Sequence, residues 1–387
     1  MGYLNNRFIR LFACIALVLS GIGANAQVSL IKNAINKLES CKNFSYQYVE
    51  KTQDFTTDTT VKLHKDIFQK TPGNVPSGYL FRLETQETDN KYHTISLYNG
   101  QNLINIFPED STYDVGDIKK EGIPFSALHE YLKWLSGRPE KKPAVIAGDT
   151  SVNGALCYHL IFDIYDTVIN KNHCYTLEHV FINKQTGLPD RIISREKLSD
   201  FGNGITNMYT EYLYSNYRFD QDNVDIASMK IPDGFHLPKK QVLLPLLTPG
   251  TKAPDWTLYT TDGKQISMAQ LKGKVVLLDF FFIGCGNCMT SLKSLDKIYE
   301  KYKGQKFVLI SVSNRDSKKA VMGFKKVNHI KNLVCGDGAD VAKAYHLERF
   351  PTFYYIDKEG KVANVTLGYY DTFEANTTSI IDSLLSK

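Results

Sequence analysis

An apolar run at residues 275–282 leads directly into a pair of cysteines. Asp279 is the only charged residue between Val275 and Phe282. Such a run is typical of a strand that is buried on both faces of a parallel sheet. Strands and helices alternate in the order β-α-β-α-β-β-α from Thr251 onward, with apolar runs for strands and helical spacing between them. We therefore predict an α/β domain over residues 251–387.

The sequence before this domain has a different pattern. Apolar residues at helical spacing predict one amphipathic helix between Ser29 and Cys41, and a second helical stretch spans about Phe125 to Leu135. The rest shows period-two alternation, which favours strands. The predicted strands are 44–49, 79–83, 94–98, 103–107, 158–162, 179–182, 191–194 and 208–212. Turn signals separate several of them, including Asn99-Gly100. These features predict an α+β domain over residues 27–237, with a curved antiparallel sheet wrapping a helix.

Four prolines lie between Pro238 and Pro254. Proline-rich segments are extended and semi-rigid. The sequence therefore predicts a linker at residues 238–250, between the two domains.

The first 26 residues have the organisation of a cleaved signal peptide. Arg7 and Arg10 precede an apolar stretch from Leu11 to Ile22, and Ala24-Asn25-Ala26 forms an A-x-A cleavage site. The apolar stretch has 12 residues, whereas spanning a bilayer takes roughly 20. We expect an exported protein of the periplasm or cell envelope that is soluble after cleavage. The formal net charge of +5 is too small to indicate a nucleic-acid partner.

Cys285-Gly286-Asn287-Cys288 is the motif that carries chemistry. The first cysteine falls at the start of a predicted helix, where unpaired N–H groups and the helix dipole stabilise a thiolate. The second lies one turn later, within disulfide reach. We therefore expect Cys285 to attack a substrate disulfide, and Cys288 to resolve the resulting mixed disulfide.

Two other interpretations of this pair are possible. A zinc site needs two further ligands, whereas His329, His346 and Cys335 are scattered. A purely structural disulfide over so short a loop would stabilise little. We predict no metal and no cofactor.

The motif and its surroundings resemble the thioredoxin superfamily. The resemblance rests on the CxxC pair, on Phe350-Pro351-Thr352-Phe353 and on the segment 356–360, Ile-Asp-Lys-Glu-Gly. The opening, Pro249-Gly250-Thr251-Lys252-Ala253-Pro254-Asp255-Trp256, is similar to that of exported TlpA/ResA-like thiol–disulfide oxidoreductases and of peroxiredoxins. The peroxiredoxin pattern of Pro and Thr or Ser ahead of the cysteine is absent.

This resemblance implies roles for three further residues. Asp279 matches a buried carboxylate that exchanges protons with the resolving thiol. Pro351 matches a cis-proline that faces the disulfide, and the backbone of Phe350 before it would pair with the substrate chain. The implied partners are exported proteins with disulfides and an upstream thiol–disulfide electron donor. Two dipeptides depart from the usual family residues. Ile283-Gly284 leaves the range of partners open, and Gly286-Asn287 leaves the redox direction, as reductant or isomerase, open.

The N-terminal region has a fainter resemblance, to the lipoprotein carriers LolA and LolB. It rests on Tyr98-Asn99-Gly100 and on the segment 183–191. It implies an incomplete barrel that binds a hydrophobic ligand or a partner. The alternative function for the whole protein is therefore a non-enzymatic envelope binding protein.

The remaining cysteines carry weaker expectations. We expect Cys335 to be a small buried hydrophobic residue at a strand end. Cys157 and Cys174 flank a predicted hairpin and could pair only if the register allows it. No state is predicted for Cys41.

Overall fold

A computed structural model describes most of the chain in two domains. It describes residues 28–53, 59–71, 75, 77–88, 92–124, 126–137, 144–169, 171–199, 205–238 and 244–387. The expected signal peptide, residues 1–26, lies outside the described residues. The predicted fold class is confirmed: an antiparallel-sheet domain precedes a domain with the thioredoxin fold.

The N-terminal domain is built on one sheet of eleven antiparallel strands. Its strands are β1 (Asn43–Gln53), β2 (Thr59–Lys70), β3 (Tyr79–Glu87), β4 (His93–Tyr98), β5 (Leu103–Phe107), β6 (Thr112–Gly116), β7 (Val145–Val152), β8 (Ala155–Ile169), β9 (Asn172–Asn183), β10 (Pro189–Ser199) and β11 (Ile205–Phe219). Their order in the sheet is β6-β5-β4-β3-β2-β1-β11-β10-β9-β8-β7. The first and last strands in sequence are therefore paired at the centre of the sheet.

Among the described residues, three α-helices accompany this sheet. They are α1 (28–39), α2 (Ile118–Glu121) and α3 (Leu128–Gly137). The buried side chains of α1 and α3 share one apolar cluster with Phe44, Phe68 and Phe81 of the sheet. Burying this face is what holds both helices on the sheet.

Eight of the eleven strands appear in the sequence as alternating segments, and β2, β6 and β7 do not. In β2 the inward positions include His64 and Asp66, and Leu63 is exposed. In this part of β2, polar side chains face the core and an apolar side chain faces solvent, which is the reverse of the usual pattern. In β7, an edge strand, seven of the eight residues are not buried, so nothing selects an alternating pattern.

Side chains fill the face of the sheet that carries the helices. Tyr46 is 1% exposed, and its hydroxyl accepts a hydrogen bond from the N–H of Leu128. Burial raises the pKa of Asp66 to about 7, and a hydrogen bond with Tyr46 opposes the rise. The hydroxyl of Tyr131 donates to the buried Glu178. Aromatic rings and paired polar groups therefore occupy this face, and the hydrophobic ligand stays a prediction.

The C-terminal domain contains a five-stranded sheet, a two-stranded hairpin and four helices. The hairpin strands are β12 (Thr257–Tyr259) and β13 (Gln265–Ser267). The sheet strands are β14 (Val275–Phe281), β15 (Phe307–Ser313), β16 (Leu333–Cys335), β17 (Thr352–Ile356) and β18 (Val362–Leu367). The helices are α4 (Gly286–Tyr302), α5 (Lys318–Val327), α6 (Ala339–Ala344) and α7 (Phe373–Leu385).

Strand β14 is the centre of this sheet, whose order is β16-β15-β14-β17-β18. It pairs in parallel with β15 and antiparallel with β17. All seven of its residues are buried. Val275 and Leu277 pack with α4 and α7, whereas Val276, Leu278 and Phe280 pack on the opposite face. The predicted order of elements lacked the hairpin, β16 and α6, which are short.

Part of the predicted linker contacts the C-terminal domain. Leu246 and Leu247 pack against its core, and the N–H of Gly250 donates to the carbonyl of Val362. The imidazole of His346 lies 2.8 Å from the carbonyl oxygen of Pro245. Residues from about 245 onward therefore pack with this domain. Across the described part of the chain, no helix is both long enough and apolar enough to span a bilayer.

Candidate active site

The buried strand β14 ends one turn before the two cysteines. Cys285 is the N-cap residue of α4, and its sulfur accepts a hydrogen bond from the N–H of Cys288 at 3.3 Å. The 17 residues of α4 give this end of the helix a positive potential. A thiolate at Cys285 would be stabilised by the same N–H and by the helix dipole.

Cys285 and Cys288 form a disulfide in this structure. Cys285 is 8% exposed and Cys288 is 1% exposed. Both sulfurs pack in an apolar cluster with Phe281, Val321, Phe324 and Val334. An incoming disulfide would therefore reach Cys285 first.

The loop before Cys285 is fixed by residues that follow β15. The carboxylate of Asp316 accepts a hydrogen bond from the N–H of Ile283 at 2.8 Å and from the hydroxyl of Ser313 at 2.6 Å. The guanidinium of Arg315 lies 4.4 Å from the ring centre of Phe282. Gly284 has a φ of +90°, a conformation that L side chains rarely adopt.

Phe350 and Pro351 lie beside this loop. Their peptide bond is cis. Because Thr352 pairs with Phe280 of β14, Pro351 is level with the end of that strand. The rings of Phe350 and Phe282 meet edge to face at 5.4 Å. The cis-proline turn and the disulfide thus lie at the same end of the sheet.

Asp279 is a buried carboxyl on β14, with 2% exposure. Its side chain is on the same face of the strand as Phe281, which packs against both cysteines. Burial raises its pKa from 3.8 to about 7, and a hydrogen bond from Ser311 opposes the rise. A group with this pKa can take up or release a proton near neutral pH.

The structure therefore brings the five predicted site residues together at one end of the C-terminal sheet. The contacts of Arg315, Asp316, Ser311 and Asn332 with this region were not predicted. Their only sequence signal is their position, within or just after β15 for Ser311, Arg315 and Asp316, and just before β16 for Asn332.

The other cysteines are apart from this site. Cys157 lies opposite Asn183 and Cys174 lies opposite Thr167, so the register does not bring these two thiols together. Cys335 ends β16 and is fully buried, and burial raises its pKa to about 12. Among the described residues, no group of three or more His, Cys, Asp or Glu side chains is arranged to hold a metal.

Comparison with known proteins agrees with this geometry. Residues 248–385 match the Redoxin family model. The thiol-disulfide oxidoreductase ResA of Bacillus cereus is 32% identical over 120 residues, which are 31% of this chain and 69% of that protein. The chain belongs to the family of ResA-like thiol–disulfide oxidoreductases.

A second relative and a solved structure are also similar to part of this oxidoreductase. ResA of Bacillus subtilis is 32% identical over 32% of this chain and 69% of its own length. The thioredoxin domain of a thiol-disulfide oxidoreductase from Bacteroides vulgatus is 27% identical, with a TM-score of 0.31, over 35% of this chain and 99% of that domain.

The raised pKa of Asp279 predicts a stability effect of Asp279→Asn. In the native protein this carboxyl favours the protonated form, so its contribution to stability is complete below pH 4 and is lost as the pH rises toward 7. The variant has no such group. Between pH 4 and pH 8 the free energy of unfolding of the variant, relative to wild type, should rise by about 4 kcal/mol, at 1.4 kcal/mol per pKa unit.

Urea unfolding at fixed pH, with the disulfide oxidised, measures this difference. Trp256 fluorescence in a Trp134→Phe background reports the C-terminal domain. Asp66→Asn is the matched control, because Asp66 is an equally buried carboxyl in the other domain. A difference between Asp279→Asn and wild type that does not vary with pH would contradict the raised pKa.

Proposed function

We propose that this oxidoreductase transfers electrons to disulfides of exported proteins through Cys285 and Cys288. The observation that carries the proposal is the unequal exposure of the two cysteines at the start of α4, with 8% for Cys285 and 1% for Cys288. The more exposed cysteine of the pair, whose thiolate the helix N-terminus favours, is the nucleophile. The buried one is the resolving thiol.

The reaction balances in two steps. In the reduced enzyme, the Cys285 thiolate attacks one sulfur of the substrate disulfide, and the other substrate sulfur leaves as a thiolate. Cys288 then attacks the Cys285 sulfur of the mixed disulfide. The substrate leaves as a dithiol, two electrons have passed to it, and the enzyme holds the Cys285–Cys288 disulfide. An upstream dithiol donor must reduce the enzyme again.

Asp279 is proposed to accept the proton of the Cys288 thiol during the second step. Two observations support this assignment: Asp279 is buried on the face of β14 that carries Phe281, which clusters with both cysteines, and its pKa is about 7. A carboxylate with a pKa near that of the solution can accept a proton in one step and return it in the reverse reaction.

Phe350 and Pro351 are proposed to bind the substrate chain. These residues lie at the same end of the sheet as the disulfide, where the backbone of Phe350 would pair with an extended substrate chain as an added strand. The ring of Phe350, against Phe282, would give the substrate an apolar contact. The cell envelope is the proposed location, supported by the signal-like sequence of residues 1–26.

Serine substitutions test the roles of the two cysteines. Cys285→Ser should abolish disulfide reduction in an insulin assay, because the nucleophile is lost. Cys288→Ser should accumulate mixed disulfides between Cys285 and substrate, detected by mass spectrometry. Cys335→Ser is the control and should keep wild-type activity, since this thiol is buried in a different cluster. Wild-type activity of the Cys285→Ser protein would exclude the mechanism.

The N-terminal domain is proposed to hold the protein partner near Cys285. Tethering raises the effective concentration of a bound partner without a new contact at the active site. The fragment from Leu244 to Lys387, which keeps the packed segment after Pro245, should reduce small disulfides as fast as the full chain. It should be slower only on protein partners.

Partners for this test come from envelope extracts trapped by Cys288→Ser. Each trapped partner is then reduced by the full chain and by the fragment, with a small aromatic disulfide as the control substrate. Equal rates on all partners would leave the N-terminal domain without a part in substrate binding.

A further inference from the structure

Three buried polar side chains cross the C-terminal sheet beneath the active site. Asp279 of β14 lies directly opposite Ser311 of β15, and Asn332 immediately precedes β16. Their exposures are 2%, 3% and 4%. Polar groups in an otherwise apolar core are costly unless they are hydrogen-bonded, so their pairing needs an explanation.

In this row, Asn332 donates to Ser311 and Ser311 donates to Asp279. The amide nitrogen of Asn332 donates to the hydroxyl oxygen of Ser311 at 3.0 Å and to the carbonyl of Leu333 at 3.0 Å. Because a carbonyl only accepts, the second bond fixes which end of the amide is the nitrogen. The single proton of the Ser311 hydroxyl must then point to Asp279, whose Oδ2 lies 2.7 Å away.

Asn332 is itself held in place. The ammonium group of Lys325, on α5, donates to the backbone carbonyl of Asn332 at 2.7 Å. The row therefore begins at Asn332, which Lys325 holds in place, and ends at Oδ2 of Asp279. The other oxygen of Asp279, Oδ1, is buried and has no hydrogen-bond partner among the described residues.

Burial and the Ser311 hydroxyl act on the ionisation of Asp279. Lys325 of α5 reaches the row through Asn332. Further along the same two strands, Cys285 and Cys288 of α4 cluster with Phe281, two residues after Asp279, and Asp316 accepts a hydrogen bond from Ser313, two residues after Ser311. On β17 the residue opposite Asp279 is Phe353. Ser311 donates a hydrogen bond to the Asp279 carboxylate. A change at Ser311 therefore acts directly on the ionisation of Asp279.

We propose that Ser311 and Asn332 are positioning residues that hold one oxygen of Asp279 and leave the other free to exchange a proton with Cys288. The inference rests on the proposed role of Asp279 as the proton acceptor in resolution. The ionised carboxylate gains most from the Ser311 hydroxyl, since hydrogen bonds to charged groups are the stronger ones.

Ser311→Ala removes the donor and should move the pH dependence of resolution upward. Loss of a hydrogen bond worth about 1.4 kcal/mol corresponds to about one pH unit. The pH of half-maximal resolution rate should therefore rise by about one unit. Ser311→Thr keeps the hydroxyl and should restore the wild-type profile. Asn332→Ala should shift the profile in the same direction by less, because the hydroxyl remains but is no longer oriented.

Resolution can be measured on the full chain with 5,5′-dithiobis(2-nitrobenzoate). The pre-reduced protein, in a Cys41→Ser background, is mixed with less than one equivalent of the reagent between pH 5 and pH 9. Attack by Cys285 releases one thionitrobenzoate, and resolution by Cys288 releases the second. The rate of the second phase is the readout, and Cys288→Ser should lack that phase.

The Asp279→Asn background separates the two proposals. Ser311→Ala should cause no further shift there, because the group it acts on is gone. If Asp279→Asn alters the profile and Ser311→Ala in the wild-type background does not shift it, the positioning role is wrong and the role of Asp279 stands. If Asp279→Asn itself leaves the profile unchanged, the role of Asp279 fails and the positioning role fails with it. A shift by Ser311→Ala that persists in Asp279→Asn would also overturn the inference.

Discussion

The burial of strand β14 on both faces fixes the position of the cysteine pair. Its seven residues have no solvent-facing side, so the chain can leave the sheet only at its end, after Phe281. The loop of three residues that follows is held by Asp316 and then continues into α4 at Cys285. One sulfur is thereby placed at a helix N-terminus and the other one turn deeper, and their unequal exposure follows from this arrangement.

The same end of the sheet combines an apolar cluster with one ionisable carboxyl. The apolar cluster around the two sulfurs excludes water from Cys288. Burial disfavours the charged form of Asp279, whereas the Ser311 hydroxyl favours it. The balance of these two effects puts the carboxyl near its midpoint at neutral pH, where proton exchange in either direction is easy. In the N-terminal domain a buried carboxyl, Asp66, is likewise paired, with Tyr46, but it lies among the tyrosines Tyr46, Tyr48 and Tyr214.

Local patterns predicted most of the C-terminal domain and the two cysteines, whereas Asp279, Phe350 and Pro351 were assigned from the resemblance to the thioredoxin superfamily. The apolar run of β14, the helical spacing of α4 and the CxxC pair are all contiguous in sequence, so their structural meaning can be inferred locally. The partners of Asp279 could not be inferred in this way, because Ser311 is 32 residues from Asp279 and Asn332 is 21 residues further on. Serine and asparagine are ordinary surface residues, and only the strand register shows that these two are buried together.

In the N-terminal domain, the alternation of polar and apolar residues does not predict every strand. Strand β2 was not predicted because its inner face carries His64 and Asp66, which are satisfied by Glu50, Thr85 and Tyr46. A buried polar group of this kind contradicts the alternation on which strand prediction depends. The match to the Redoxin family model covers residues 248–385, which lie outside this domain.

A redox titration of the Cys285–Cys288 pair tests the central claim most directly. The full-length protein is equilibrated in buffers of defined thiol and disulfide ratio, and the thiols are then alkylated and counted by mass spectrometry. The account predicts one reversible two-electron transition of these two cysteines in the folded protein, while Cys157, Cys174 and Cys335 stay reduced throughout. A pair that remains oxidised until the protein unfolds would show a structural disulfide and contradict the account.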